Sequence, residues 1–321
     1  MAFLLGMDEA GYGPNLGPLV VAATLWHLPH RAAEFPDLYD LLEGTVVRDA
    51  FPGPTLEVPI ADSKRLYRGR DKLARLETGL FPVLAAWNPP PTNWIGLWRE
   101  LAPASGLQLQ REPWYQEYDT PLPRELPPAS WQDRARALRA ALAREHVRLQ
   151  AVRAVAVFPE AFNRAVQRCG SKGTLLSEIT IGLARELLAN LPEEDILVVG
   201  DKHGGRHRYG PLLQAAFPDH LIRVRQESRA RSAYRWGPPG RTVEFRFLAG
   251  GETFLPSALA SMVAKYLREM AMQAFNAYWQ RYIPGLRPTA GYPLDAHRFW
   301  EAIDPLRREK KMPRELLWRS R

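Results

Sequence analysis

A chain of 321 residues, 46% apolar and 24% charged, holds enough material for one large globular core or two smaller ones and excludes wholesale disorder. Its single cysteine, Cys169, excludes an internal disulfide framework and a multi-cysteine zinc site, and no run of about 18 apolar residues offers a membrane span. The net charge of +8 comes from 43 basic against 35 acidic residues, 36 of the basic ones arginine. This balance permits a polyanionic partner without requiring one, because coding bias or a hot habitat produces the same arginine excess.

The N-terminus, MAFLLGMDEAG, lacks a basic leading region and meets two acids by residue 9. It does not read as a signal peptide, and a cytoplasmic location is the default expectation. Phe3 to Met7 reads as a strand running into Asp8 and Glu9. A glycine-rich turn leads into a second apolar run, Leu19 to Leu25, so a hairpin at the centre of a sheet is expected.

The character then changes. Residues 81–130 hold 10 of the 29 prolines, and residues 86–131 hold five of the ten tryptophans. Three consecutive prolines, 89–91, cannot continue a helix or a central strand. The segment reads as an insertion over the core, with Trp94, Trp98, Trp114 and Tyr115 either anchoring it or forming a stacking surface for bases. Ser130, with Asp133 three residues on, reads as the N-cap of a helix carrying Ala135, Leu138 and Leu142 on its apolar side. Val152 to Val157 reads as a strand and 175–189 as a helix with Leu175, Ile179, Leu183 and Leu187 in one stripe.

Ile196 to Val199 is a short apolar strand ending at Gly200 and Asp201. Further strands are expected over 220–226 and 243–248, then a long helix from Ser257 to Trp279 with Pro256 at its start, and a basic, proline-bearing tail from Asp304. Alternating strands and helices favour a layered mixed α/β domain.

Acids at the ends of apolar strands are poor core material and good ligands for hard divalent cations such as Mg²⁺. Asp8, Glu9 and Asp201 meet that description, and Glu227 stands just beyond the strand that reaches Gln226. Taken singly, each is equally the first polar residue before a loop. The turn from Gly11 to Gly17 packs three glycines into seven residues, which lets backbone approach a ligand and present N–H groups to phosphate.

D-E-A-G-Y-G-P-N-L-G-P-L-V-V at residues 8–21 resembles the opening motif of the prokaryotic type 2 ribonuclease H family, and the resemblance continues in order. D-S-K-R-L at 62–66, V-V-G-D at 198–201, V-R-Q-E-S-R at 224–229 and the helix S-A-L-A-S-M-V-A-K-Y-L-R-E at 257–269 look like that family's later motifs, as does G-Y-P at 291–293 with His297. The resemblance implies an RNase H-like mixed β-sheet flanked by helices: residues 1–80 and 131–255 would form the core, 81–130 a Pro/Trp-rich insertion, and 256–321 a helical C-terminal part.

It also implies an endoribonuclease that cleaves the RNA strand of RNA/DNA duplexes, or embedded ribonucleotides, leaving 5′-phosphate and 3′-hydroxyl ends. Asp8, Glu9, Asp201 and Glu227 would be catalytic ligands of Mg²⁺ or Mn²⁺. Gly11, Tyr12, Gly13, Lys64 and Tyr292 would contact the nucleic acid, and His203, His207 and Lys265 would be auxiliary. The expected partner is an RNA/DNA hybrid or ribonucleotide-containing DNA, with no membrane involved and the chain acting as a monomer. Three positions depart from the family pattern: Tyr12 stands in place of an arginine, Glu227 in place of an aspartate, and Glu269 replaces another family acid. These departures motivate an alternative on the same fold, either a weakly active or inactive nucleic-acid-binding protein or a nuclease with altered substrate preference.

Overall fold

The computed structural model describes residues 1–29, 35–48 and 56–320. Strands β1 (Ala2–Ala10) and β2 (Leu19–Leu28) form the expected hairpin, antiparallel and in register from Ala2 opposite Leu28 to Ala10 opposite Val20. Every residue of β2 is buried, as a strand covered on both faces requires. Five more strands complete a mixed sheet: β3 (Arg148–Val157), β4 (Asp195–Asp201), β5 (Arg223–Glu227), β6 (Arg231–Trp236) and β7 (Val243–Leu248). Their order is β3-β2-β1-β4-β7-β6-β5. The pairs β1–β4 and β4–β7 are parallel, and the others are antiparallel. Strand β5 is a fully exposed edge bearing Arg223 and Arg225, charges that discourage edge-to-edge association.

Alternation along β1 divides the core. Phe3, Leu5 and Met7 face one cluster with Leu175, Leu176 and Phe247, while Leu4 faces a larger one with Val263, Tyr266 and Phe81. The larger cluster is organised by a 28-residue helix, packed against β1 and β2, that runs from Leu255 to Tyr282. At 1.5 Å per residue it is about 42 Å long. Its start presses so closely on β1 that a Cβ on Gly6 would lie 2.1 Å from Pro256 C. No helix among the described residues is long and apolar enough to cross a membrane.

The proline-rich stretch is better ordered than its composition suggests. Helix α1 (Lys72–Trp87) crosses the expected boundary at 80–81 and continues through Pro82. An interior proline costs about 3 kcal/mol, which the burial of Leu76, Leu80, Phe81 and Leu84 offsets. Helix α2 (Trp94–Leu101) and the turns after it lie over β3 and the long helix. Buried Glu77 holds the end of this stretch, accepting from the backbone N–H groups of Arg124, Glu125 and Leu126 at 2.6–3.0 Å and from Tyr266 Oη at 2.7 Å. Trp94, Trp98, Trp114 and Tyr115 are each less than 5% exposed. They anchor the segment; none offers a surface on which bases stack.

Helix α3 (Pro128–Arg144) begins before Ser130, contrary to the expected cap. Pro128 at its first position has φ pre-set for a helix, so Ser130 falls inside the first turn and donates to Pro127 O at 2.6 Å. Helices α4 (Pro159–Cys169) and α5 (Lys172–Leu188) cover the other face. The long helix is α6, and α7 (Pro293–Glu309) follows it. The chain then returns to the start of the fold, where Trp318 bridges to Leu16.

Candidate functional site

Strand register builds the site. Met7 is the partner of Gly200 across the parallel pair β1–β4, so the next residues, Asp8 near the end of β1 and Asp201 at the end of β4, lie on adjacent strands on the same face. The carboxyl ends of parallel strands beside a switch in strand direction are a usual place for ligands. Asp8, Glu9 and Asp201 line one cavity of about 470 Å³ with Gly11, Gly13, Lys64, Arg68, Lys265, Arg268 and Tyr292.

The acids are held at an electrostatic cost. Burial, together with repulsion from Asp201, raises the Asp8 carboxyl to about 7 despite hydrogen bonding from Ser261. Burial and then repulsion from Asp8 and Asp201 raise Glu9 to about 8. Lys64 counters both shifts. It sits in a one-turn helix, Ser63–Leu66, capped by Asp62, whose carboxylate accepts from Lys64 N at 3.0 Å. Ser261 ties this turn to α6, its Oγ lying 2.9 Å from Ser63 Oγ.

The glycine turn is clamped from both sides. Gly11 has φ +87°, and a Cβ there would lie 2.5 Å from both Arg268 Nε and Pro18 O. Arg268 is buried under the turn and donates to Ala290 O at 2.8 Å. The C-terminal tail supplies a second guanidinium: buried Arg319 donates to Gly11 O at 2.7 Å and Tyr12 O at 3.0 Å. Asn15 and Arg319 also exchange two hydrogen bonds. Arg319→Ala is therefore expected to cost about 2–4 kcal/mol, because two buried charge-assisted bonds are lost and two carbonyls are left unpaired. A urea midpoint equal to wild type would show that the tail does not hold the turn.

Gly13 differs from Gly11. It has no positive φ, and a Cβ there would meet only Tyr292 Cε1, at 3.9 Å. The fold does not require glycine at 13; a closely approaching ligand would. Tyr292, at the start of α7, is 51% exposed and available for stacking. Lys265 is committed within the protein: it pairs with Glu269 at 2.6 Å, and Tyr67 Oη donates to the same carboxylate at 2.8 Å. Burial pushes Glu269 up, but Lys265 and Arg268 outweigh it and hold the carboxyl below its usual range.

Glu227 lies elsewhere. It ends the edge strand β5, three strands from β4 and four from β1. Strand spacing puts these at about 14 and 19 Å. Its carboxylate accepts from Tyr234 Oη at 2.5 Å and faces Arg208 at 3.7 Å, and it does not line the cavity of the other three acids. Among the described residues, no group of three or more His, Cys, Asp or Glu side chains is placed to hold a metal ion.

His203 is buried. Ser177 donates to Gly173 O at 2.9 Å, so His203 Nδ1 donates to Ser177 Oγ, also at 2.9 Å. Burial, then Arg206, lowers its imidazole to about 3; a ring neutral at ordinary pH adds no charge toward a phosphate. His207 is exposed and lines a neighbouring, basic cavity.

No protein-family model and no curated protein matches the sequence. Among solved structures the chain is similar to a chain of the PCNA:RNase HII complex from Archaeoglobus fulgidus, with 14% identity and a TM-score of 0.42 over 99% of this chain and 94% of that one. It is also similar to ribonuclease H2 from Pyrococcus horikoshii OT3, with 16% identity and a TM-score of 0.42 over 98% and 92%. Bst-RNase HIII in complex with Mn²⁺ shows 15% identity and a TM-score of 0.37 over 99% and 66%. At this identity and overlap the likeness assigns neither a family nor an activity.

Two features of the site were missed by sequence reasoning. Arg268 stands in the 257–269 motif, but nothing local marks it as a clamp on Gly11; Arg319 carries no local signal, since the carbonyls it holds lie 308 and 307 residues away in the chain. The other is the turn after β7. Leu248, which ends β7, is the partner of Asp201, and the backbone N–H groups of Gly250 and Gly251 lie 3.2 and 3.5 Å from Asp201 Oδ1. The short helical turn Gly251–Thr253 contains Glu252 and leads into α6. An acid directly before the long helix was the available signal.

Proposed function

We propose that this chain is a nucleic-acid-binding protein on an RNase H-like fold. It takes the backbone of an RNA/DNA hybrid, or of DNA containing ribonucleotides, across the Gly11–Gly13 turn. The observation that carries this reading is Gly13, a glycine that the fold leaves free and that opens onto a cavity lined also by Lys64 and half-exposed Tyr292. Backbone close to phosphate, a nearby ammonium and an aromatic face are the elements such recognition uses.

A second reading, phosphodiester hydrolysis with Mg²⁺ or Mn²⁺, is favoured by the three converging carboxylates, whose raised proton affinity a cation would relieve. Asp8, Glu9 and Asp201 alone do not meet the requirement for a metal centre, and Glu227 is too distant to complete one. The backbone position that would complete it is that of Glu252, one strand from Asp201. Binding and cleavage are separable by assaying a hybrid, a duplex with one embedded ribonucleotide and plain DNA in Mn²⁺. Binding of the first two without cleavage supports the first reading. Cleavage reduced at least about 100-fold by Asp201→Asn and Glu252→Gln, with Glu227→Gln within about threefold of wild type, supports the second. Loss of cleavage in Glu227→Gln equal to that in Asp201→Asn would contradict the assignment of Glu252.

A further inference from the structure

A second cavity, of about 620 Å³, lies on the far side of Tyr12 from the acids. Tyr12 lines both cavities. Its hydroxyl stands between the start of α5 and the loop after β4: a Cβ on Gly173 would lie 3.5 Å from Tyr12 Oη, and one on Gly204 3.1 Å. The lining carries Lys172, Arg206, His207 and Arg208 and no carboxylate. That is a one-signed concavity in a molecule where acids are nearly as numerous as bases.

The cations are placed differently. Arg206 is fixed to the first turn of α5 by a 3.0 Å bond from Nη2 to Thr174 Oγ1, while its Nε is buried with no partner. Lys172 Nζ sits 4.7 Å from the centroid of the Tyr12 ring. Arg208 is 85% exposed at the rim. Gly204 and Gly205, both at positive φ, keep the floor free of side chains. The α5 helix begins here, so its positive dipole end adds to the same field.

We propose that this cavity is a phosphate subsite: it holds a backbone phosphate of the nucleic acid whose neighbouring segment lies in the acid-lined cavity. This rests on the nucleic-acid reading above and deepens it. Lys172 and Arg208 supply charge at the rim, Arg208 while 3.7 Å from the Glu227 carboxylate, Arg206 supplies a fixed fork, and the Tyr12 ring separates the phosphate from the carboxylates of the neighbouring cavity.

The test is the salt dependence of duplex affinity, read by fluorescence anisotropy. Lys172→Ala and Arg208→Ala are each expected to weaken hybrid binding roughly fivefold at 0.1 M salt and to reduce the slope of log K against log salt by about one. Arg185→Ala, at the far end of the same helix and about 20 Å away, should leave the slope unchanged. Unchanged slopes in both cavity variants would overturn the subsite. If the wild-type chain binds no duplex, the nucleic-acid reading itself fails, and inorganic phosphate decides the cavity separately. Phosphate that shields Lys172, but not Lys310 or Lys311, from amine acetylation in mass spectra supports an oxyanion site; equal labelling of all three overturns it.

Discussion

Gly11→Ala is expected to destabilise the fold by about 3 kcal/mol or more, while Gly13→Ala melts like wild type and loses nucleic-acid affinity. The two glycines are two residues apart in one turn, yet different forces fix them. At Gly11 any side chain is forced into the left-handed region, which costs about 1–2 kcal/mol. Its Cβ would also lie 2.5 Å from Pro18 O, a backbone atom that cannot swing aside. Neither penalty exists at Gly13, where a methyl fits the protein but occupies the space a ligand backbone needs. Thermal melts and hybrid titrations of the two variants separate the roles. A Gly13→Ala protein that binds as tightly as wild type would remove the main support for ligand contact at this turn.

Neutralising Asp8 should make the protein more stable at high pH. Asp8 and Glu9 have their carboxyls raised to about 7 and 8, chiefly by burial, then by repulsion from Asp201 at Asp8 and from Asp8 and Asp201 at Glu9. The native state therefore binds protons more tightly than the unfolded chain between about pH 4 and 8, and stability falls as pH rises through that window. Asp8→Asn removes one of the interacting charges. Its Tm should exceed that of wild type by about 2–5 °C at pH 8, and the difference should shrink toward pH 5, where native Asp8 is already protonated. A variant that melts below wild type at pH 8 would mean that Asp8 is stabilised as an anion, contrary to the repulsion described.

The apolar runs made β1, β2, β4 and the long helix legible, because each is a local pattern whose period matches its structure. The placement of Asp8, Glu9 and Asp201 at strand ends followed from those runs, and register then put Asp8 and Asp201 side by side. Sheet order is nonlocal, and there the reading of Glu227 went astray: its strand pairs at the edge, beyond β6 and β7, a fact no spacing in the chain encodes. Trp94 and Trp114 illustrate a second limit. Composition cannot distinguish a buried aromatic anchor from an exposed stacking face, and only packing against α6 and β3 decided between them. The helix start expected at Ser130 lies three residues too late, because Pro128 presets the backbone for the first turn and the cap falls at Pro127.

The most direct measurement of the central claim is an anisotropy titration of the wild-type chain with a labelled RNA/DNA hybrid across a range of salt concentrations, without added divalent metal. Saturable binding is expected, with log K falling linearly with log salt and a slope that reports several phosphate contacts. Absence of binding even at low salt, or binding insensitive to salt, would contradict it.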